Sequence, residues 1–446
     1  MSLKSTAKHF LYASVLCAAL SGCALFPKLA ADNSMEFVRV KGAQFHVAGK
    51  PYYFVGVNMW YAAYLGAEAD YGDRERLVAE LDLLQSLGVA NLRILGASET
   101  SPFQKSLRET FQSHAGAYNE QLLQGLDFAL AEMAKRNMRA VIYLNNFWEW
   151  SGGMGTYLYW TNGGSYVDLG DPAHPWPAFQ NVTAYFYESE QANNLYRDYI
   201  RMLVSRVNTV TGLAYRDDPA IMAWQLANEP RPGFDYKEGD DGLQSFYEWI
   251  EDTAHFIKSL DPNHLVSSGN EGFMVCNEID SCFFDAHETP AIDYLTFHIW
   301  PRNWGWMDMA QAEKTFPTVL EKTDQYIKQH ISYAERLNKP VVLEEFGLDR
   351  DGGENSPGAS VNMRNDYLSM VFTKLGESAS KGAPFSGVNI WAWGGYGEAA
   401  HPDYAWRDGD VRFTGDPPQE PQGRNSVFAS DLSTLGIIKA HAQGLP

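Results

Sequence analysis

Eight short apolar runs recur between residues 53 and 391 of this 446-residue chain, and helical patterns separate most of them. The runs are rich in β-branched and aromatic residues and are mostly apolar on both faces, which is typical of buried parallel strands. Because no linker interrupts the alternation, the pattern predicts one α/β unit, a (β/α)8 TIM barrel. An open doubly wound sheet is the alternative, but it would need a Gly-rich turn after the first run. The runs cover residues 53–57, 89–94, 139–144, 221–226, 265–268, 294–298, 340–343 and 387–391.

The segments between the runs carry amphipathic patterns, the first of them with Leu77, Leu81 and Leu84 on one helix face. Residues 36–48 have the pattern of a small hairpin, which could cover the bottom of the barrel. Two βα loops are long, one at residues 145–190 and one of about 30 residues after the eighth run, and such loops are usually functional. Further helices are predicted at residues 122–133, 192–210, 242–259, 311–337, 361–377 and 431–442.

The N-terminus has the features of an export signal. A basic start precedes an apolar stretch over residues 10–20, which is too short to span a bilayer. The stretch ends in Leu20-Ser21-Gly22-Cys23, which resembles the lipobox of bacterial lipoproteins, where the Cys is lipidated after cleavage. We therefore expect residues 1–22 to be a lipoprotein signal peptide, residues 23–35 a linker near the anchor, and residues 36–446 the barrel domain. Lipidated Cys23 would place an exported protein at the outer membrane or cell surface; an ordinary signal peptide and a secreted protein are the alternative.

Charge and cysteine content narrow the classes of partner. The chain has 35 basic and 55 acidic side chains, a net charge of −20, which argues against nucleic-acid binding. Once Cys17 leaves with the signal and Cys23 carries lipid, Cys276 and Cys282 remain. In an oxidising compartment, two Cys six residues apart are expected to form a local disulfide. A zinc site would need more ligands than nearby His287 supplies, so we expect no metal.

Carboxylates follow two of the predicted strands. Glu229 comes directly after the fourth run, and Glu344 and Glu345 follow the seventh. Residues at the C-terminal ends of barrel strands line the active site. Two carboxyl groups about 5–5.5 Å apart there can hydrolyse a glycoside with retention, one as acid/base and the other as nucleophile. The chain has no Gly-x-Ser-x-Gly elbow, His-Glu-x-x-His helix or P-loop to support another chemistry.

The sequence resembles family 5 glycoside hydrolases, and within them the β-mannanase branch, over residues 36–442. The residues that carry the resemblance are Arg93, Asn228-Glu229-Pro230, His298, Glu345-Phe346-Gly347 and Trp391. It implies that Glu229 is the general acid/base and that Glu345 is the nucleophile, kept ionised by Arg93. Asn228 would bind the sugar 2-OH, His298 the substrate or the carboxylates, and Trp391 would be the floor under the sugar at the cleavage point.

Two positions near the implied site, Glu344 and Trp300, each allow more than one role. Glu344 is a rival nucleophile, but adjacent strand residues point to opposite sides, so only one of the pair is expected to face the mouth. The family motif selects Glu345. Many family members carry a Tyr two residues after the strand-six His, whereas this chain has Trp300. We expect Trp300 to form the wall of a sugar subsite rather than to replace the Tyr hydroxyl.

Several Trp residues follow predicted strands, where indole faces can stack on sugars. Those predicted to bind substrate are Trp60, Trp148, Trp300, Trp391 and Trp393. The preferred interpretation is a monomeric, cofactor-independent endo-β-1,4-mannanase that acts on mannan or manno-oligosaccharides. An exo-acting β-mannosidase, a β-1,4-glucanase and a non-catalytic carbohydrate-binding lipoprotein are the alternatives.

Overall fold

A computed structural model of the chain describes residues 35–446. The predicted signal peptide, Cys23 and the linker up to residue 34 lie outside the described residues. Eight parallel strands form the central sheet, which confirms the predicted (β/α)8 barrel. The strands are β1 (Phe54–Asn58), β2 (Asn91–Leu95), β3 (Arg139–Tyr143), β4 (Ile221–Gln225), β5 (Leu265–Ser267), β6 (Leu295–Ile299), β7 (Val341–Phe346) and β8 (Phe385–Ile390).

The sheet runs in the order β5-β4-β3-β2-β1-β8-β7-β6. The seam between β5 and β6 is joined by isolated hydrogen bonds instead of a regular ladder. The Asp293 amide donates to the Val266 carbonyl at 2.8 Å, and the His298 amide donates to the Glu271 carbonyl at 3.1 Å. These bonds close the barrel and hold His298 beside the end of β5.

Helices pack around the strands largely as predicted. Asp73 caps the helix Arg74–Leu87 by accepting a hydrogen bond from the Arg76 amide at 2.9 Å. Gly88 ends this helix in the left-handed region at φ +85°. The helix predicted over residues 192–210 ends earlier, at Val204, because the side chain of Asn208 caps a turn in the following loop. The longer helices are Arg74–Leu87, Glu120–Lys135, Glu190–Val204, Asp241–Leu260, Ala312–Leu337, Asn362–Lys381 and Leu432–Ala442, with a short helix, Asp280–Asp285, after β5.

The N-terminal hairpin has three antiparallel strands, Arg39–Lys41, Gln44–Val47 and Lys50–Pro51. Its buried side chains Val38 and Phe45 pack against residues of the lower barrel, including Val141, Met222, Leu265, Tyr294 and Val342. The hairpin therefore covers the end of the barrel opposite to the C-terminal ends of the strands. Among residues 35–446, no helix has the length and hydropathy that a bilayer crossing needs.

The two long loops are ordered over the C-terminal ends of the strands. The loop after β3 carries a 3-10 turn at Glu149–Ser151 and the helices Gly153–Thr161 and Ala178–Ala184. The loop after β8 leaves a short strand, Trp393–Gly395, and returns to pair with it at Val427–Phe428. We refer to residues 396–426 as the β8 loop.

Candidate active site

Glu229 lies at the end of β4, on a strained turn. Its φ is +52°, a left-handed conformation that is rare outside Gly and is typical of functional sites. Its amide donates to the Gly269 carbonyl at 3.0 Å. Gly269 allows this close approach, since a Cβ there would lie 1.9 Å from the Ala227 carbonyl oxygen. The turn directs the buried Glu229 carboxylate into a cavity above the barrel.

Three N–H groups surround this carboxylate. Its Oε1 accepts from His298 Nδ1 at 2.7 Å and from Trp300 Nε1 at 3.1 Å, and its Oε2 accepts from Trp148 Nε1. Burial alone would raise the pKa of Glu229. The hydrogen bonds from His298 and Trp148, with the charge of Arg231, outweigh burial and hold the pKa at about 2. Burial lowers the pKa of His298 to about 4, so the imidazole is neutral at pH 7 and donates through Nδ1.

Glu345, in β7, faces the same cavity. Its Oε1 accepts from Arg93 Nη1, and its Oε2 lies 3.4 Å from His298 Nδ1. Because that nitrogen contacts both carboxylates, these two oxygens lie within about 6 Å of each other, compatible with the roughly 5–5.5 Å of retaining enzymes. Burial and the Glu229 carboxylate raise the pKa of Glu345 well above its usual range, although Arg93 opposes them. The site therefore favours the charged form of Glu229, whereas burial beside that charge disfavours the charged form of Glu345.

Arg93, at the centre of β2, is fully buried and connects the site residues. Its Nη2 donates to Asn228 Oδ1 at 2.7 Å, while its Nη1 contacts Glu345 and Asn58. Asn228 Nδ2 donates to Asn146 Oδ1 at 3.1 Å, so one of its two amide hydrogens remains for a ligand. A guanidinium keeps its charge when buried, which makes it a permanent counterion for the Glu345 carboxylate.

Only Glu345 of the adjacent pair faces the mouth, as expected, but strand alternation is not the reason. A bulge in β7 breaks the alternation, since the register shifts by one residue between Leu343 and Phe346. Both carboxylates therefore reach Arg93, with Glu344 Oε2 at 3.6 Å from Arg93 Nε. Glu344 lies deeper, where Gln225 Nε2 donates to it at 2.5 Å, and only Glu345 lines the cavity.

The cavity measures about 810 Å³, and six of the 13 Trp residues line it, three of them predicted from the sequence. Trp148, Trp300 and Trp391 belong to the wall, with the rings of Trp300 and Trp391 perpendicular at 6.0 Å. The prediction that Trp60 and Trp393 bind substrate is wrong. Both are fully buried below the β8 loop, where Trp60 donates to the Gly415 carbonyl at 3.0 Å and Trp393 donates to Glu80 at 3.1 Å.

A family model described as GH family 5 beta-mannosidase-like matches residues 35–446. The chain belongs to this family. The membership confirms the family predicted from the strand-end motifs, and with it the prediction that the protein is a glycosidase.

Individual members of the family 5 group resemble the chain over nearly its whole length. A curated relative from Arabidopsis thaliana, named putative mannan endo-1,4-β-mannosidase 4, is 32% identical over 430 residues, which cover 93% of this chain and 92% of the relative. The crystal structure of a family 5 mannosidase from Rhizomucor miehei is 35% identical with a TM-score of 0.82, covering 92% of this chain and 97% of that one. An endo-1,4-β-mannanase from the same organism, 23% identical with a TM-score of 0.65 over 92% and 99%, shares the fold.

Sequence reasoning missed several residues in and around the cavity of this family 5 glycosidase. Glu271 follows β5 and receives two hydrogen bonds from Arg231, at 2.5 and 2.8 Å. Burial raises the pKa of Glu271 to about 8, although the Arg231 charge opposes it. The rule that strand ends carry site residues would have found Glu271. Trp176, Gln419 and Glu420 line the cavity itself but come from the long loops, for which the sequence has no strand-end signal.

One group of possible metal ligands among residues 35–446 consists of Glu229, Glu271 and His298. Their ligating atoms all lie within 4.8 Å of one another. A cation here would have to displace the hydrogen bond from His298 to Glu229. It would also approach the guanidinium of Arg231, which already donates two hydrogen bonds to Glu271. This donor set therefore fits the hydrogen-bonded arrangement better than a metal site.

The predicted pairing partners Cys276 and Cys282 form a disulfide with an S–S distance of 2.00 Å. The bond ties the loop after β5, from which Met274, Val275 and Asn277 line the cavity.

Proposed function

We propose that this chain is an exo-acting β-mannosidase, which removes single mannose units from the non-reducing ends of β-1,4-linked manno-oligosaccharides with retention of configuration. The observation that carries the exo assignment is the β8 loop, from which Pro417, Gln419 and Glu420 line the cavity that also holds Trp391. Sequence analysis preferred endo action and left exo action open.

The carboxylate pair supports a double displacement. In the first step a Glu345 oxygen bonds to the anomeric carbon, and the glycosidic C–O bond breaks as its oxygen takes a proton from Glu229. In the second step Glu229 removes a proton from water, whose oxygen displaces Glu345 from the anomeric carbon. Donors in the empty site favour the charge on Glu229, so Glu229 must take up a proton before it can act as the acid. The free amide hydrogen of Asn228 faces the same space and suits the sugar 2-OH.

These roles set the direction of the bound sugar chain. The sugar attacked by Glu345 lies against Trp391, and its leaving group departs past Glu229. On the Glu229 side the cavity continues along Trp148 and Arg231. On the other side of Trp391 lies the space for further sugars of the non-reducing part.

We place the β8 loop on that second side, because its Asn425 carbonyl accepts from the amide of Ala392, next to Trp391, at 3.4 Å. Pro417, Gln419 and Glu420 of the same loop line the cavity. Behind them Phe413 packs against Trp60, with ring centroids 5.5 Å apart. A sugar chain extending past Trp391 would therefore collide with the loop, which supports a pocket for one terminal sugar instead of an open cleft.

Hydrogen bonds from its own side chains hold the β8 loop in place. Buried Asp416 accepts from the amides of Gly423 and Asn425, both at 2.8 Å, and from Ser426 Oγ at 2.5 Å. Gln422 Nε2 donates to the carbonyls of residues 416 and 417 at 3.0 Å. These bonds replace regular secondary structure, so the wall is a fixed part of the site.

The comparisons support β-mannosidic substrates. Curated relatives are named mannan endo-1,4-β-mannosidases, and the family is described as β-mannosidase-like. The solved R. miehei protein, at 35% identity, is named a mannosidase without specifying endo or exo action, whereas the endo names of the curated relatives favour the alternative.

Product analysis tests the proposal. With mannopentaose reduced to its alditol, we expect free mannose and the tetraose alditol as the first products. Mannobiose and mannotriose from the start would show endo action, and early release of mannitol would show attack at the reducing end. Higher activity on carboxymethylcellulose than on mannan would instead identify a β-glucanase.

A variant of the β8 loop is the structural control for this experiment. Asp416→Ala removes the side chain that binds residues 423–426, so we expect the wall to loosen and mannobiose to become a detectable early product. The matched control is Asp403→Ala, an exposed carboxylate of the same loop outside the cavity, with products unchanged. If Asp416→Ala remains active and still releases mannose alone, the loop is not the barrier.

We also propose that the protein is an exported lipoprotein, anchored through Cys23 at the outer membrane or cell surface. The described chain starts at the barrel end opposite to the cavity, where the Glu36 carbonyl accepts from Arg139 at 3.1 Å and Phe37 packs on His264. An anchor there would leave the active site open to soluble oligosaccharides, and the disulfide suits an oxidising compartment.

Cys23→Ser should move the protein from the membrane fraction to the soluble fraction without changing kcat/KM, because residue 23 precedes the predicted barrel domain in the sequence. Retention of this variant in the membrane fraction would contradict the anchor.

A further inference from the structure

We propose that Trp176 and Phe234 form a sugar-binding subsite at the outer, leaving-group end of the cavity, which holds a mannose unit beyond the one next to the cleaved bond. The sugar class rests on the proposed function. Both rings line the cavity although they are 45% and 49% exposed. Among the exposed large hydrophobic residues of the described chain, residues 35–446, these two are the ones that line the cavity.

The two rings continue the aromatic wall that begins at the catalytic carboxylates. Trp148 donates to Glu229, and Trp176 stacks on Trp148 with ring centroids 6.2 Å apart and an interplanar angle of 24°. Phe234 follows, perpendicular to Trp176 at 6.2 Å. The wall therefore leads outwards from Glu229 in the direction that the leaving group takes, and Trp176 lies one ring further out than the side chain that contacts the acid/base.

Hydrogen bonds between two loops fix the position of these rings. Trp176 precedes the helix Ala178–Ala184 of the loop after β3, whereas Phe234 belongs to the loop after β4. Gln180 Nε2 donates to the Pro232 carbonyl at 2.8 Å, and Asn181 Oδ1 accepts from the Phe234 amide at 2.8 Å. Because the two loops are joined, the exposed rings do not have to be ordered when a ligand binds, which favours affinity.

The chemistry of this surface suits a neutral pyranose chain. Indole and phenyl rings offer flat apolar faces to the C–H face of a sugar, and they leave its hydroxyls in water. Arg231, whose guanidinium lies 4.6 Å from the Trp148 ring centroid, supplies a donor at the inner edge of the wall. Such a subsite would make the enzyme prefer longer oligosaccharides to the disaccharide, although only the terminal unit is removed.

The test is the dependence of kcat/KM on chain length in Trp176→Ala, measured with mannobiose, mannotriose, mannotetraose and mannopentaose. One aromatic stacking contact corresponds to about a tenfold effect. We expect kcat/KM for mannobiose to stay within about twofold of the wild type, and that for the longer substrates to fall about tenfold, mainly through KM. Phe234→Ala should show the same length dependence, and Trp176→Tyr should restore most of the loss.

Tyr185→Ala is the matched control, because Tyr185 is an equally exposed aromatic residue, 57% exposed, that is close in sequence but outside the cavity. We expect it to leave all four substrates unaffected. An equal loss on every substrate would show a structural role for Trp176, and no loss on any would show that the rings do not bind sugar; either result overturns the subsite.

The result of the subsite test can be distinguished from the result of the test for exo action. Wild-type product patterns decide between exo and endo action, whereas the subsite is decided by the variant's length dependence. If the wild type prefers cello-oligosaccharides, the same four-substrate series in that sugar tests the subsite.

Discussion

Glu345→Ala should lower kcat by about four orders of magnitude or more, because no other group can form the covalent bond to the anomeric carbon. Glu345 is the carboxylate that both lines the cavity and is bound by Arg93. With an activated aryl β-mannoside, added azide should restore turnover by entering the space that the carboxylate left. Azide then attacks from the nucleophile's side, so the product should be the inverted α-mannosyl azide, which NMR identifies.

Glu344→Gln is the matched control for this experiment. Glu344 is the adjacent carboxylate and also contacts Arg93, but it lies below the cavity, where Gln225 and Tyr294 donate to it. We expect the Gln variant to keep measurable turnover and to show no rescue by azide. Azide rescue of Glu344→Ala, combined with retained activity in Glu345→Ala, would reverse the assignment of the nucleophile.

The site could be located from the sequence because strand ends in a barrel converge, and that convergence depends only on the alternation of strands and helices. Arg93, Asn228, Glu229, His298 and Glu345 all follow or belong to predicted strands, and the structure brings them into one hydrogen-bonded group. Residue spacing was enough here, since each side chain is fixed by the backbone of its own strand.

The bulge in β7 could not be predicted in the same way. Strand periodicity assigns adjacent residues to opposite faces, and Val341 to Phe346 show no interruption in the sequence. The bulge arises because β7 must pair with both β6 and β8, and both ladders shift register around Glu344 and Glu345. It is therefore a property of the closed sheet and not of one segment.

The long loops are a second feature that could not be predicted from the sequence. Trp60 and Trp393 follow strands just as Trp391 does, so their sequence positions predict the same mouth location. Their burial depends on the fold of the β8 loop, which is held by the side chains of Asp416 and Gln422 and has little regular secondary structure. Such contacts have no periodic pattern, and the character of the active site, a pocket instead of a cleft, depends on them.

Glu229→Ala should give a loss that depends on the leaving group. With manno-oligosaccharides, whose departing hydroxyl needs a proton, we expect kcat/KM to fall by about three orders of magnitude. With 2,4-dinitrophenyl β-mannoside, the leaving group needs no proton, so the mannosyl-enzyme should still form. Its hydrolysis should then be slow because water has lost its general base, and a burst of one dinitrophenol per enzyme should precede a slow steady state.

Azide should accelerate that steady state, because an anion needs no general base. It attacks the covalent intermediate from the Glu229 side, so the product should be β-mannosyl azide, the opposite anomer to that from Glu345→Ala. Trp148→Phe is the matched control, because it removes one hydrogen-bond donor to Glu229 Oε2 but keeps the carboxylate itself. This variant should show the wild-type response to both leaving groups. Equal losses of Glu229→Ala on both substrates, without a burst, would show that Glu229 holds the site together and does not transfer the proton.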